Sequence, residues 1–231
     1  MSTRIDPQEL AQISLFRDLS LEQRTRLSER LHSHTFPANS NIITAEQPGE
    51  VVYIIRSGTV KITMDQADGN AVILAILGAG DVVGEMSLVD SAGRSASVIT
   101  LEPSTLLWMG RDDFESCLRQ FPEINYNLVR LLSQRVRLAN EQIQALASLD
   151  VFGRVARQFL AFAEKYGQSN GDGEILIPIR LTQSDLADLV GASRRRVNQV
   201  IVNYKRHDYI SVDEDGYISV CDREALARLC R

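Results

Sequence analysis

Apolar residues between Ile124 and Ala147 recur at alternating steps of three and four positions. This alternation is the a/d pattern of a coiled coil, by which two helices bury a shared stripe. Pro122 precedes the stretch and suits a first helical turn, because its missing N–H has no partner there. The pattern predicts a dimerisation helix over 122–148. Its predicted dimer seam comprises Val129, Leu132, Val136, Ala139, Ile143 and Leu146.

An amphipathic helix that lies only on its own domain is the alternative interpretation of this stretch. A second apolar face, formed by Leu128, Leu131 and Leu138, favours a helix that packs on its own domain and also on a twin.

Upstream of this helix, the spacing of apolar residues changes once, from a helical period to short β-rich runs. Apolar residues from Pro7 to Leu31 recur at near-helical spacing, with a break near Asp18–Ser20 that would cap a second helix. From Thr35 to Met109, short β-rich runs alternate with Gly- and Pro-containing turns, which favours a β-barrel or jelly roll. One hairpin tip is predicted at Asp68–Gly69. The predicted strands are Ile42–Thr44, Val51–Ile55, Val60–Met64, Val72–Ile76, Ser97–Thr100 and Leu106–Met109.

Downstream, the pattern predicts an amphipathic helix over Val151–Tyr166 and then two short helices joined by a turn at Gly191–Ser193. Thr182 and Asp185 are spaced as a capping box for the first of the two. Two short helices with a Gly-containing turn form a helix-turn-helix. A hairpin from Tyr209 to Val220 would close the domain as a wing.

The second short helix would bury Val197, Val200 and Ile201 and turn polar residues outward near its N-terminal end, where such helices meet base edges. Three consecutive arginines on a helix are often only a solvated face, but their position between this turn and this wing favours DNA contact. The residues predicted on these grounds to contact DNA are Arg194, Arg195, Arg196, Asn198 and Gln199.

The charge distribution supports a nucleic-acid partner although the formal net charge of the 231 residues is −5. From Asp150 onward the chain carries 12 Lys and Arg and 12 Asp and Glu, so the acidic excess lies upstream. Arg194 to His207 carries basic residues and no acid. A locally basic helix on an acidic protein is typical of a DNA-binding protein that avoids non-specific binding.

Several other classes of function are disfavoured by the sequence. The three cysteines are scattered, and no metal-ligand spacing is present, so neither a disulfide framework nor a metal site is predicted. The longest apolar run, Ala71 to Leu77, is far too short to span a bilayer, so we expect a cytoplasmic protein without a membrane partner. Neither a nucleophile–base pair nor a Walker loop is present, and we therefore expect no enzyme activity.

Three motifs, in order along the chain, resemble those of the cyclic-AMP receptor protein / fumarate–nitrate regulator family of bacterial transcription regulators. Gly84–Leu88 followed by Arg94–Ala96 resembles its phosphate-binding cassette, Leu149–Ala156 its hinge and first DNA-domain helix, and Thr182–Val197 its helix-turn-helix. The resemblance implies an α+β fold: a β jelly-roll sensor over 1–121, a dimerisation helix over 122–148 and a winged helix-turn-helix over 149–231.

The cassette residues suit the chemistry of a cyclic nucleotide. Glu85 would accept a hydrogen bond from the ribose 2′-hydroxyl, and Arg94 would pair with the phosphate. Gly84 lets the backbone approach the ligand. In a sensor that has lost its ligand, Arg94 and Glu85 would instead form a structural salt bridge. The ligand-binding residues predicted from the resemblance are Gly84, Glu85, Met86, Arg94, Ser95 and Asn140.

Two stretches depart from the family pattern. Ala139 and Asn140 occupy the long-helix positions where cyclic-AMP binders carry two hydroxyl residues, so cyclic AMP is favoured while cyclic GMP or a cyclic dinucleotide stays open. In the second helix of the helix-turn-helix, which would contact the bases, Arg194 matches the family's guanine-contacting arginine. Arg195 replaces an acidic residue and would read a second guanine or grip phosphate, and Gln199 replaces an arginine. By the same resemblance, Thr182 and Ser193 are implied phosphate contacts.

The sequence thus predicts a homodimeric regulator, activator or repressor, that binds a near-palindromic double-stranded DNA site under control of a cyclic nucleotide. RNA polymerase is implied as a further partner. A constitutive DNA-binding protein with a vestigial pocket is the alternative.

Overall fold

The computed structural model describes residues 5–66, 71–90, 92–170 and 173–230. The chain divides into two compact units, Met1–Met64 with Leu74–Arg137, and Asp65–Ile73 with Leu138–Arg231. Each unit has a core of its own and is described separately.

The N-terminal segment is less regular than its spacing predicts. Two 3₁₀ turns, Glu9–Gln12 and Ser14–Phe16, precede helix α1 at Leu21–Ser28. Leu15 and Phe16 are both fully buried, and two adjacent buried residues do not fit one face of an α-helix. The predicted helix before Asp18 is therefore wrong, whereas the predicted cap at Ser20 is confirmed as a capping box with Gln23.

In the described part of residues 1–121, eight strands form two four-stranded sheets, ordered β1-β8-β3-β6 and β2-β7-β4-β5. Their inner faces share a core to which both sheets contribute, including Ile43 and Val98 from one and Ile55 and Val83 from the other. This is the predicted jelly roll. The hairpin tip predicted at Asp68–Gly69 lies outside the described residues. The strands are β1 His32–Phe36, β2 Asn41–Ile43, β3 Val51–Ser57, β4 Val60–Asp65, β5 Ala71–Leu77, β6 Val82–Val83, β7 Ser97–Thr100 and β8 Ser104–Gly110.

Three helices complete the first part of the chain: α2 Met86–Val89, α3 Arg111–Gln120 and α4 Pro122–Ser148. The bounds of α4 equal those predicted. A second core lies between α3, the start of α4 and the outer face of β3 and β8, and it buries Phe114, Leu128 and Leu131 against Ile54 and Leu107.

Most of the seam positions of α4 are exposed. Val129, Val136 and Ile143 are 62%, 60% and 65% exposed, and Ala139 and Leu146 are also exposed. Leu132 is the exception, because it is half-buried against the core. Leu138 is 49% exposed, so its predicted place on the inward face of the helix is wrong.

The remainder of the chain is a winged helix-turn-helix. Helix α5 is capped by Asp150, whose carboxylate accepts a hydrogen bond from Gly153 N at 2.9 Å. The predicted wing is present as β11 and β12, and β12 also pairs with β10. The elements are α5 Val151–Tyr166, β9 Gln168–Ser169, β10 Ile175–Ile177, α6 Gln183–Val190, α7 Arg194–Arg206, β11 Ile210–Val212, β12 Ile218–Val220 and α8 Arg223–Arg228.

The inward face of α7 differs slightly from the prediction. Val197 and Val200 are fully buried, but Ile201 is only half-buried, and the fully buried Tyr204 continues the face. None of the described helices is long and apolar enough to cross a membrane.

Candidate ligand pocket and DNA interface

The turn between β6 and α2 requires a glycine. Gly84 has φ +84°, and a Cβ there would lie 2.5 Å from Nη1 of Arg94 and 3.0 Å from the carbonyl oxygen of Val51. A side chain would therefore be strained by the backbone and would displace the arginine.

Arg94 is buried beneath this turn. Its Nη1 donates to the carbonyl oxygen of Gly84 at 2.8 Å and to Oγ of Ser87 at 2.9 Å, and its Nη2 donates to the carbonyl oxygen of Val51 at 2.6 Å. Burial lowers the pKa of the guanidinium from its ordinary value. Both terminal nitrogens of Arg94 therefore donate to backbone or hydroxyl oxygens of the protein.

Glu85 is 1% exposed and pairs with an arginine of α4. Its Oε1 accepts from Nη1 of Arg135, whose Nη2 donates to the carbonyl oxygen of Val82. Its Oε2 is buried, and no atom of the described residues hydrogen-bonds to it. Burial raises the pKa of Glu85, and Arg135 acts in the opposite direction. The alternative of a salt bridge between Glu85 and Arg94 is therefore not the arrangement found.

Arg135 was missed as a cassette residue by the sequence reasoning. It lies 50 positions from Glu85, on a helix where its only visible role was to flank the seam. A sequence pattern predicts which residues share a helix face, but it cannot predict which carboxylate from a distant part of the chain will contact that face.

Arg111 at the start of α3 ties the cassette to a neighbouring loop. Its Nη2 donates to the carbonyl oxygen of Gly49 at 2.6 Å and to that of Ser87 at 3.0 Å. It thereby fixes the backbone of the residue whose hydroxyl holds Arg94.

A cavity of about 130 Å³ opens beside Arg94. It is smaller than the roughly 300–1,000 Å³ of most ligand pockets. Burial raises the pKa of Tyr53 in its wall, and Arg94 acts in the opposite direction. The other predicted ligand residues, Met86, Ser95 and Asn140, are exposed. The cavity is lined by Ile42, Ile43, Thr44, Gln47, Pro48, Glu50, Val51, Tyr53 and Arg94.

The helix-turn-helix is fixed by its caps. The Thr182 side chain accepts from Asp185 N at 3.1 Å, and the Asp185 carboxylate accepts from Thr182 N at 3.3 Å, which is the predicted capping box. Ser193 caps α7 by accepting from Arg196 N at 3.3 Å.

The predicted reading residues lie on the exposed face of α7. All five of them, from Arg194 to Gln199, are solvent-exposed, and Val197 between them is buried. The guanidinium of Arg196 lies 5.4 Å from the centre of the Phe152 ring, an interaction that the sequence did not indicate. Asn198 accepts a hydrogen bond from Gln183 of α6 at 2.9 Å.

Two family models match the chain. One is described as a cyclic nucleotide-binding domain and matches residues 33–121, and the other as a Crp-like helix-turn-helix domain and matches residues 153–229.

The chain is 34% identical over 222 residues to the CRP-like cAMP-activated global transcriptional regulator of Mycobacterium tuberculosis, covering 96% of this chain and 98% of that protein. It is 30% identical over 187 residues to the cyclic AMP receptor protein of Thermus thermophilus, covering 81% and 83%. The solved structure of FixK2 from Bradyrhizobium japonicum shares the fold, with a TM-score of 0.77, 18% identity and coverage of 87% of this chain and 98% of that one. The Mycobacterium relative is a regulator, which agrees with the expectation that this chain is not an enzyme.

Proposed function

Because the chain belongs to the CRP/FNR family of transcription regulators, we propose that it is a homodimeric DNA-binding regulator controlled by a cyclic nucleotide, with cyclic AMP as the favoured effector. The name of the Mycobacterium relative, which describes it as cAMP-activated, supports this choice of effector.

The unpartnered Oε2 of Glu85 is the observation that carries the ligand proposal. An ionised carboxylate oxygen is costly to bury without a hydrogen-bond donor. A ribose 2′-hydroxyl would supply that donor, and Arg94 beside it would exchange its protein acceptors for the phosphate. One small anion would then supply both the donor that Glu85 lacks and a negative charge for Arg94.

Arg135 supplies a route from the ligand to α4. It contacts Glu85 and the carbonyl oxygen of Val82 in the free protein. A ligand hydroxyl that donates to Oε2 would bind the same carboxylate whose Oε1 accepts from Arg135, and would thereby act on the contact that holds this part of α4. Because α4 also carries the proposed seam, ligand binding and the pairing of two chains become coupled.

The exposed seam supports the homodimer. Val129, Val136 and Ile143 are each more than half exposed at heptad spacing, and a large apolar side chain on a helix gains from burial against a second copy. Two copies related by a two-fold axis would place two α7 helices on a near-palindromic DNA site. RNA polymerase is the proposed further protein partner.

Calorimetric titration of the purified protein with cyclic AMP, cyclic GMP and cyclic di-GMP tests the effector. We expect saturable heat with cyclic AMP that is lost in Arg94→Ala. The matched control is Arg119→Ala, because Arg119 is an exposed arginine of α3 and its removal should leave the heat intact. Anisotropy titrations with labelled DNA should then show higher affinity in the presence of the same nucleotide.

A constitutive DNA-binding protein with a vestigial pocket is the second candidate. The protein acceptors that already hold both terminal nitrogens of Arg94, together with the small cavity beside it, favour this alternative. Sequence-specific DNA binding that no cyclic nucleotide alters, together with no heat of binding, would establish it in place of the first.

A further inference from the structure

The two amide side chains on the exposed face of α7 have their oxygen atoms engaged within the protein. Oδ1 of Asn198 accepts from Nε2 of Gln183 at 2.9 Å, and Oε1 of Gln199 accepts from Nη1 of Arg196 at 3.2 Å. Neither amide nitrogen donates one of the hydrogen bonds found among the described residues. Both side chains are exposed.

The two donors that hold these oxygens are themselves anchored. Gln183 is the first residue of α6, whose N-terminus is fixed by the Thr182–Asp185 capping box. Arg196 lies over the Phe152 ring. The Asn198 amide is therefore oriented by a residue of α6 that is not among the predicted DNA contacts, and the Gln199 amide by Arg196.

This orientation limits what an amide can read. An asparagine or glutamine recognises adenine with both of its atoms, since it accepts from N6 and donates to N7. An amide whose oxygen points toward a donor within the protein turns its two N–H donors to the opposite side, away from that donor. Arg194 and Arg195 beside it carry donors only.

We propose that Gln183 is a specificity-determining residue that makes the exposed N-terminal half of α7 a donor-only surface. At the base met by Asn198, such a surface selects edges that carry acceptors, namely guanine through N7 and O6 or thymine through O4. The proposal rests on the proposed DNA-reading function and adds the class of base to it.

The Gln183→Glu variant tests the proposal because it is nearly isosteric and reverses the hydrogen bond. A carboxylate only accepts, so Asn198 must turn its N–H donors toward residue 183 and present its oxygen to the DNA. The preferred base at that position should change from guanine or thymine to adenine or cytosine, by about fivefold in relative affinity. Gln183→Leu, which removes the donor without reversing the bond, should admit adenine beside guanine.

The measurement is selection from randomised half-sites by the full-length protein, with and without cyclic AMP, followed by sequencing. Ser184→Glu is the matched control, because this neighbouring exposed residue adds the same charge without contacting Asn198. It should weaken binding to all sequences and leave the base preferences unchanged. A further variant, Arg196→Met, removes the donor that holds the Gln199 oxygen, so adenine should become acceptable at the base met by Gln199.

The outcomes separate this proposal from the one on which it rests. If the unmodified protein selects a defined site and Gln183→Glu selects the same bases at every position, Gln183 has no role in specificity. If the unmodified protein selects no defined site at all, the DNA-reading function itself is wrong.

Discussion

Glu85 is a buried carboxylate, and its pKa is shifted in opposite directions by burial and by its pairing with Arg135. Burial raises its pKa, and the Arg135 guanidinium opposes this only in part. The folded protein without ligand therefore binds a proton on Glu85 more tightly than the unfolded chain does. Such a group contributes stability that is present below the unfolded pKa and lost as the pH rises through the folded pKa.

The Glu85→Gln variant, which mimics the protonated form, lacks this dependence. As the pH rises above about 4.3, the pKa of glutamate in unfolded chains, the free energy of unfolding of the unmodified protein should fall relative to that of the variant. Urea denaturation at a series of pH values measures this difference. Glu29→Gln, at an exposed glutamate after α1, is the control, because it leaves Glu85 in place and should keep the pH dependence of the unmodified protein. If the free energy of unfolding of the unmodified protein instead rises with pH relative to that of Glu85→Gln, Arg135 lowers the pKa of Glu85 by more than burial raises it.

Gly84 allows the effect of close packing to be separated from that of backbone strain. Gly84→Ala combines a positive φ with a 2.5 Å approach to Arg94, whereas Gly216→Ala has φ +87° with nothing within 4 Å. We expect Gly216→Ala to lower the free energy of unfolding by about 1 kcal/mol and Gly84→Ala by about 2–4 kcal/mol. Only Gly84→Ala should abolish nucleotide binding. If thermal denaturation shows the same loss of stability for both variants, Arg94 moves away from the added methyl group without a cost in free energy.

At the residue scale, the sequence predicted the kinds of group in the site but not their partners. Glu85, Arg94 and Gly84 were identified by a resemblance between motifs. The pairing of Glu85 with Arg135 depends on where a helix 50 residues later passes the cassette, and local spacing contains no information on that. The acceptors that hold Arg94 are mostly backbone carbonyl oxygens, which every residue possesses.

At the element scale, helix α4 carries a prediction about association. Ile143 is 65% exposed at the seam, and burial of such a side chain contributes roughly 1.5–3 kcal/mol in each chain. Ile143→Asp should therefore weaken the dimer about 100-fold or more. Light scattering across a dilution series measures the effect.

The control for this variant is an apolar residue that is equally accessible but lies off the seam. Leu21 on α1 is 56% exposed, and Leu21→Asp should leave the association unchanged. If both variants remain dimeric, the seam is not the contact between chains.

Elements with strong periodicity were predicted well, and those without it were missed. The bounds of α4 and α5 match the sequence prediction because each carries a continuous amphipathic stripe between a start signal and a stop signal. Strand β1 was missed because His32 to Thr35 are all exposed, so no alternation marks them. Strand β6 has only two residues, too few to show a period.

At the scale of the whole molecule, the charge distribution restricts where DNA can bind. The net charge of −5 opposes general attraction to phosphate, while the run from Arg194 to His207 contains five basic residues and no acid. Binding should therefore be strongly salt-dependent and confined to α7 and its surroundings.

Arg194→Ala distinguishes base reading from phosphate contact in this setting. If Arg194 reads guanine, its removal costs about 1–3 kcal/mol of discrimination between the preferred and a mismatched site, and the salt dependence of binding stays nearly constant. If Arg194 only contacts phosphate, the affinity of Arg194→Ala falls equally for all DNA sequences, and the slope of log K against log salt concentration decreases by about 1. Arg223→Ala, on an exposed position of α8, removes the same charge without touching α7 and should alter neither quantity. We expect the first pattern in anisotropy titrations at several salt concentrations, because Arg194 is exposed at the N-terminus of a helix whose buried face, Val197 and Val200, fixes its orientation.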